Sequence, residues 1–153
     1  MRPMTGWRLG WLLLPPELRR PVELLQSNLA ICAPAVSQVA ALAAFTPEAT
    51  QELDGHVARY ARDRELLLRR LPELGITRFA PPDGAFYAWC DISHLTEDSQ
   101  AWCAEVLAAT GVALAPGIDF DQALGNRMMR LSFCGGTAEL DEAIDRLAAN
   151  LPH

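Results

Sequence analysis

The chain has 153 residues, of which 50% are hydrophobic and 21% charged, so it is too apolar to be disordered and suits one domain or a large part of a bigger one. Its 19 acidic and 13 basic residues give a formal net charge of −6, which argues against a nucleic-acid partner. The longest apolar stretches, 11–14 and 39–45, are far shorter than the roughly 20 residues that a membrane span needs, so no membrane association is expected.

All 13 basic residues are arginines, and the absence of lysine excludes any mechanism that needs a lysine amine from within this chain. The cysteines are widely spaced and form no Cys-x-x-Cys pair or Cys/His cluster, which predicts no metal site. Their apolar surroundings predict reduced, buried thiols, and with no signal-peptide segment the expected location is cytoplasmic. The cysteines are Cys32, Cys90, Cys103 and Cys134.

The first third of the chain is apolar but lacks the strands of a complete sheet. A short apolar run over residues 7–14 contains one charge, Arg8, and predicts a mostly buried strand. Residues 17–26 carry a helical pattern, and residues 34–45 are apolar almost all round, which predicts an internal helix. Because one strand and two helices cannot make a sheet among themselves, we interpret residues 1–45 as part of a larger domain.

The rest of the chain, residues 46–153, alternates between helices and strands. Thr46 and Pro47 predict the start of a long helix that ends near Pro72 and Gly75. This order of elements predicts an α/β lobe with a small sheet covered by helices. The later predicted elements are strands over 86–92, 112–115 and 128–133, and helices capped by Thr96 and Thr137.

Two arginines, Arg8 and Arg130, lie inside apolar strand-like runs. Because burial of an unpaired guanidinium costs free energy, each should meet an anion. A planar guanidinium can hold a carboxylate or a phosphate through two parallel hydrogen bonds. For each arginine, pairing with a carboxylate of the same chain and a side chain that reaches solvent from a strand end are the alternatives.

Five segments, in order along nearly the whole chain, resemble the class I/II aminotransferases, which are fold-type I pyridoxal-phosphate enzymes. Any one of them alone is a weak signal, but the ordered set is specific. The segments are Met4–Gly10 (MTGWRLG), Asn28–Gln38 (NLAICAPAVSQ), Pro82–Tyr87 (PDGAFY), Gly111–Gly117 (GVALAPG) and Met129–Phe133 (MRLSF).

The resemblance implies an α/β fold, with an α+β small lobe, divided into two parts. Residues 46–153 would be the C-terminal small domain of an aminotransferase, including the long connecting helix. Residues 1–45 would be the last strand and helices of the large domain that binds pyridoxal phosphate. In the complete enzyme, the resemblance implies a homodimer.

The resemblance also implies roles for individual residues. Arg8 would hold the phosphate of pyridoxal 5'-phosphate, and Arg130 would bind the α-carboxylate of an amino acid or 2-oxo acid. Tyr87 would lie near the substrate, with packing inside the lobe as the alternative for this residue. The Schiff-base lysine of the family would fall immediately before Met1, so no catalytic residue is assigned and the chain alone is expected to be inactive.

These observations favour the C-terminal part of an aminotransferase that transfers an amino group between an amino acid and a 2-oxo acid. Carbon–sulfur lyases, decarboxylases and synthases share the same motifs, so a fragment of one of those enzymes is an alternative. A stand-alone binding or interaction module without catalysis is another.

Overall fold

The structure is a computed structural model that describes residues 4–151. The chain divides into two compact units, Met1–His56 and Val57–His153, which are described separately below. The domain boundary expected between residues 45 and 46 stays a prediction. None of the helices within residues 4–151 combines the length and apolar character that crossing a bilayer requires.

The first unit is helical. It contains α1 (Pro16–Leu29), α2 (Ala35–Ala43) and the beginning of α3 (Pro47–Arg70). The start of α3 is confirmed at Thr46, whose hydroxyl accepts a hydrogen bond of 3.2 Å from the backbone N–H of Ala49.

The strand predicted over residues 7–14 is wrong. A short 3-10 helix occupies Thr5–Trp7, and residues 9–15 have no regular secondary structure. A strand needs a neighbouring strand to satisfy its backbone N–H and C=O groups, and the described part of this unit contains no strand. Leu12 and Leu13 are accordingly 72% and 94% exposed.

The burial predicted for residues 34–45 is also not observed within the first unit. Ser37 and Ala41 are the buried residues of α2, whereas Val36, Val39 and Leu42 are exposed. A unit of this size has too little surrounding chain to cover an apolar helix on all sides. One polar contact connects α2 to the preceding 3-10 helix: the hydroxyl of Ser37 donates a 2.8 Å hydrogen bond to the carbonyl of Trp7.

The second unit is built around a four-stranded antiparallel sheet with the order β1-β2-β4-β3. Strands β2 and β4 confirm two of the predicted strands. The strand predicted over 112–115 is wrong except at Ala115, because β3 begins there and ends at Pro116, and the sequence analysis contains no prediction for β1. The strands are β1 (Phe79–Ala80), β2 (Tyr87–Asp91), β3 (Ala115–Pro116) and β4 (Met128–Ser132).

One face of this sheet forms the core. Buried residues alternate with half-buried or exposed ones along β2 and β4, as the two-residue period of a strand requires. Ala88, Cys90, Met129 and Leu131 face inward and pack with the end of α3, with α4 (Ser99–Thr110) and with α5 (Thr137–Ala148). The predicted apolar stripe of the last helix is buried in full, and the α/β fold class is confirmed. The stripe consists of Leu140, Ile144, Leu147 and Leu151.

The caps of the last two helices differ from the prediction. Asp98, not Thr96, caps α4, because its carboxylate accepts hydrogen bonds of 3.1 Å from the N–H groups of Gln100 and Ala101. Thr137 is the first residue of α5 rather than its cap, and its hydroxyl donates a 2.6 Å hydrogen bond to the buried carboxylate of Asp63. A residue caps a helix only when its own backbone is extended, as it is at Asp98 and Gly136, and a residue pattern does not specify that conformation.

The prediction of four buried thiols is half wrong. Cys90 and Cys103 are buried in the second unit, whereas Cys32 and Cys134 are exposed. Burial raises the pKa of Cys90 to about 12. Burial, with a smaller contribution from the charge of Asp119, raises the pKa of Cys103 to about 11.

Truncation of the core should show that the second unit is stabilised by its own packing. Leu67 is fully buried in α3, so Leu67→Ala should lower the free energy of unfolding by about 2–5 kcal/mol. The matched substitution Leu13→Ala, at a leucine that is 94% exposed, should change it by less than about 0.5 kcal/mol. Denaturant unfolding followed by circular dichroism measures both, and equal effects would contradict the described core.

Thiol labelling should separate the cysteines into two classes. The thiolate is the reactive form, so the raised pKa values keep Cys90 and Cys103 protonated at mildly alkaline pH while burial blocks access. We expect an aromatic disulfide reagent to react rapidly with Cys32 and Cys134 alone until the chain is unfolded. The double variant Cys32→Ser, Cys134→Ser is the control, and rapid reaction of that variant would refute the assignment.

Candidate functional site

Arg130 lies in the middle of β4, on the sheet face opposite the core. Its neighbours Met129 and Leu131 are buried, whereas Arg130 itself is half-buried. The register places Arg130 beside Trp89 of β2 on one side and Ala115 of β3 on the other. The strand therefore fixes the backbone of this arginine by pairing on both sides.

Aromatic rings contact the guanidinium group of Arg130. Its Cζ lies 4.2 Å from the centre of the Tyr87 ring and 4.2 Å from the centre of the Phe120 ring. At this separation the negative face of each ring attracts the cation. Tyr87 comes from β2, and Phe120 from the segment that follows β3. The structure thus brings together Arg130 and Tyr87, two of the residues singled out in the sequence, and adds Phe120.

No carboxylate of the second unit neutralises Arg130 within the described residues. Its Nε is buried and has no hydrogen-bond partner. A buried N–H of a charged group without a hydrogen-bond partner costs free energy, so its presence in a folded protein calls for an explanation such as a binding role. The alternative of pairing with a carboxylate of the same unit is therefore not what the structure shows for Arg130.

Arg70 shows how this unit treats an arginine with a structural role. Its guanidinium, 16% exposed, contacts carboxylate oxygens of Glu73, Asp141 and Asp145 at 2.9, 2.5 and 2.7 Å. Hydrogen bonds to Asp145, Glu73 and Asp141 raise the pKa of Arg70 above its usual value. The contrast with Arg130 indicates that the missing counter-ion of Arg130 is a specific property of its position.

The segment that carries Phe120 is folded tightly because two glycines touch. A Cβ atom on Gly117 would come within 2.5 Å of the carbonyl oxygens of Gly125 and Met128, and one on Gly125 would come within 2.5 Å of the carbonyl oxygen of Gly117. Asp121 closes the turn by accepting hydrogen bonds from the N–H groups of Ala123 and Leu124 at 2.8 and 3.2 Å.

Contacts on other sides hold both aromatic rings of the site. The Phe120 ring meets Trp89 edge-on, with 6.0 Å between the ring centres. The Tyr87 ring packs on Phe86 at 4.6 Å, and Phe86 in turn packs on Tyr60 at 5.6 Å. Tyr87 therefore both packs within the lobe and contacts Arg130, and its place near the substrate stays a prediction.

Arg8 lies in the first unit, and its surroundings differ from the predicted buried strand. Its side chain is exposed, and its backbone is left-handed, with φ 51° and ψ 43°, at the end of the 3-10 helix. Such a conformation costs a residue with a Cβ about 1–2 kcal/mol. The buried strand position expected for Arg8 is wrong, because residues 9–15 pair with no other strand.

A cleft of about 730 Å³ in the first unit is lined by Arg8, Thr5, Gly10 and Trp11, among others. Within this unit and the described residues, no carboxylate pairs with Arg8. Space is open around Gly10, where an added Cβ would meet no atom within 4 Å. A free guanidinium, a hydroxyl and an accessible backbone are a donor set that suits a phosphate group.

Among residues 4–151, no group of three or more His, Cys, Asp or Glu side chains is placed to hold a metal ion.

Comparison with known proteins gives consistent matches over nearly the whole chain. The family described as aminotransferase class I and II matches residues 2–147. Valine–pyruvate aminotransferase of Mycobacterium tuberculosis is 56% identical over 149 residues, which cover 97% of this chain and 38% of that protein. (5-Formylfuran-3-yl)methyl phosphate transaminase of Methanocaldococcus jannaschii is 33% identical over 144 residues, 94% of this chain and 38% of that protein.

Solved structures match as well. The crystal structure of an aminotransferase from Mycobacterium tuberculosis superimposes with a TM-score of 0.91 at 56% identity, over 97% of this chain and 38% of that one. The chain thus spans about two fifths of the length of the proteins it resembles, 38% in each of these three comparisons.

The contact between Gly117 and Gly125 can be tested by adding one methyl group. Because a Cβ on Gly117 would overlap backbone atoms at 2.5 Å, Gly117→Ala should lower the free energy of unfolding by about 1–3 kcal/mol. Gly55→Ala is the matched control, since Gly55 lies in α3 with nothing within 4 Å, and should stabilise the helix by about 0.5–1 kcal/mol. Thermal unfolding measures both, and a shift of the same sign would contradict the described contact.

Proposed function

Because this chain belongs to the aminotransferase class I and II family, we propose that it supplies Arg8 and Arg130 to a pyridoxal-phosphate-dependent aminotransferase. The reaction would transfer an amino group between an amino acid and a 2-oxo acid. The observation that carries the proposal is the half-buried side chain of Arg130, whose guanidinium contacts two aromatic rings and has no counter-ion among the described residues of its unit.

Arg130 binds the α-carboxylate of the substrate in this proposal. An amino acid and a 2-oxo acid share this carboxylate, so one arginine serves both halves of the reaction. A charge-assisted, two-pronged contact also fixes the direction of the remaining bonds at Cα. Tyr87 lies against the same guanidinium and lines this end of the site.

Arg8 binds the phosphate of pyridoxal 5'-phosphate, with Thr5 and the open backbone at Gly10 beside it. When bound, the cofactor supplies an electron sink for negative charge at the substrate Cα. The chain contains no lysine, so we assign its own residues to binding and orientation and assign them no proton transfer.

The name of the 56% identical relative suggests which substrates to test first. We propose valine as amino donor and pyruvate as acceptor. A homodimer as the complete enzyme and a cytoplasmic location belong to the same proposal, and both rest on the family resemblance.

The two arginines should have separable effects in a hybrid enzyme. In this hybrid, the matched segment of the Mycobacterium tuberculosis relative is replaced by this chain. Arg130→Ala removes two charge-assisted hydrogen bonds worth about 1.5–3 kcal/mol each, so KM for valine and pyruvate should rise about 100-fold or more while cofactor affinity changes little. Arg8→Ala should weaken cofactor affinity by about 10-fold or more and leave KM for the loaded enzyme nearly unchanged.

Alanine formation from pyruvate and valine measures amino transfer, and cofactor absorbance during dialysis measures retention. Arg20→Ala is the control, since Arg20 is exposed and pairs with the exposed Glu23 on α1. Equal effects of Arg8→Ala and Arg130→Ala on cofactor retention would contradict the assigned roles. A hybrid that consumes valine without forming alanine would favour a lyase or decarboxylase.

A further inference from the structure

The direction from which a ligand can reach Arg130 is limited. Its Nε is buried, makes no hydrogen bond and is out of reach of solvent. The two Nη atoms also make no hydrogen bond within the described part of their unit, but they are not buried. A ligand therefore meets the terminal edge of the guanidinium, where the two Nη groups lie side by side in one plane.

Two aromatic rings lie close to the guanidinium carbon of Arg130 and restrict the approach of a ligand on the sides that they occupy. Both Tyr87 and Phe120 place a ring 4.2 Å from Cζ, which is close contact for a stacked cation. Space taken by a ring is closed to water and to ligand oxygens. The accessible part of Arg130 is thus a flat, two-pronged donor.

Phe120 is held by contacts that do not involve Arg130. Its ring contacts the ring of Trp89 edge-on. Its backbone N–H donates a 2.9 Å hydrogen bond to the carbonyl of Gly117, in the segment that is held by the close approach of Gly117 and Gly125. Since Phe120 is 53% exposed, this residue contributes little to the core. The position of the Phe120 ring is therefore set independently of Arg130, and the ring can hold the guanidinium in place.

We propose that Phe120 is a positioning and specificity-determining residue: with Tyr87 it holds the Arg130 guanidinium so that a planar carboxylate binds edge-on and a tetrahedral oxyanion is disfavoured. The inference rests on the proposed function, in which Arg130 receives a substrate carboxylate. The two oxygens of a carboxylate lie in the plane of the two Nη groups. A phosphate is tetrahedral and presents further oxygens outside this plane, where the space taken by the rings is closed to them.

The test uses the chain itself and side-chain NMR signals of its arginines. Inorganic phosphate and 3-methyl-2-oxobutanoate, the 2-oxo acid of valine, are titrated at equal ionic strength, and the Arg130 signal is assigned through Arg130→Lys. We expect the 2-oxo acid to bind at Arg130 at least 10-fold more tightly than phosphate. A merely structural Phe120 would leave this ratio unchanged when it is replaced.

Variants then isolate the ring. Phe120→Leu should reduce the preference for the 2-oxo acid at least 5-fold and shift the Arg130 Nε–H resonance downfield, because one ring current is lost. Phe120→Tyr keeps a ring and should retain both the preference and the resonance. Leu124→Ala, at an exposed residue of the same segment, is the matched control and should behave like the unchanged chain.

The outcomes separate the two proposals. If the 2-oxo acid binds at Arg130 and Phe120→Leu leaves both the preference and the resonance unchanged, the role of Phe120 is overturned while the proposed function stands. If neither anion perturbs Arg130 in the unchanged chain, the carboxylate-binding role fails, and the role of Phe120 fails with it. Should Phe120→Leu unfold, loss of the preference in folded Phe120→Tyr would equally overturn the proposal.

Discussion

The positive charge of Arg130 is the feature on which the candidate site depends. Burial of a guanidinium without a carboxylate partner costs free energy, unless other groups replace the lost water. Two aromatic rings do so in part, because their faces attract a cation yet leave its hydrogen-bond donors free. A carboxylate partner would have neutralised Arg130 and blocked it, as the three carboxylates around Arg70 illustrate. The rings therefore stabilise the charge without consuming its ability to bind.

The backbone delivers these groups to one place through two simple constraints. The two-residue period of β2 and β4 places Met129 and Leu131 in the core, so Arg130 must emerge on the other face, beside Trp89. The absence of a side chain at Gly117 and at Gly125 lets the chain fold back on itself after β3. The turn formed in this way carries Phe120 to the arginine.

Local sequence predicted well those elements whose stabilising partners are close in sequence or repeat regularly. The alternation in β2 and β4, the apolar stripe of α5 and the start of α3 at Thr46 are of this kind. Phe120 was missed because its contact with Arg130 depends on a glycine–glycine approach that no periodicity reveals, although a Pro-Gly pair shortly before an aromatic residue is a usable signal. The strand expected around Arg8 was wrong because a strand requires pairing partners, and those are not encoded in its own residues.

The two units differ in how far packing within the unit determines the positions of its side chains. The second unit buries a continuous core from α3, α4, α5 and the sheet, so the surroundings of Arg130 are set by contacts within it. In the described part of the first unit, the buried residues are Ser37 and Ala41, while apolar side chains such as Trp11 and Leu42 are exposed. Exposed apolar surface of that kind is typical of surfaces that bind another surface. The geometry at Arg130 is therefore determined by packing within the second unit, whereas the described residues of the first unit leave the side chain of Arg8 exposed.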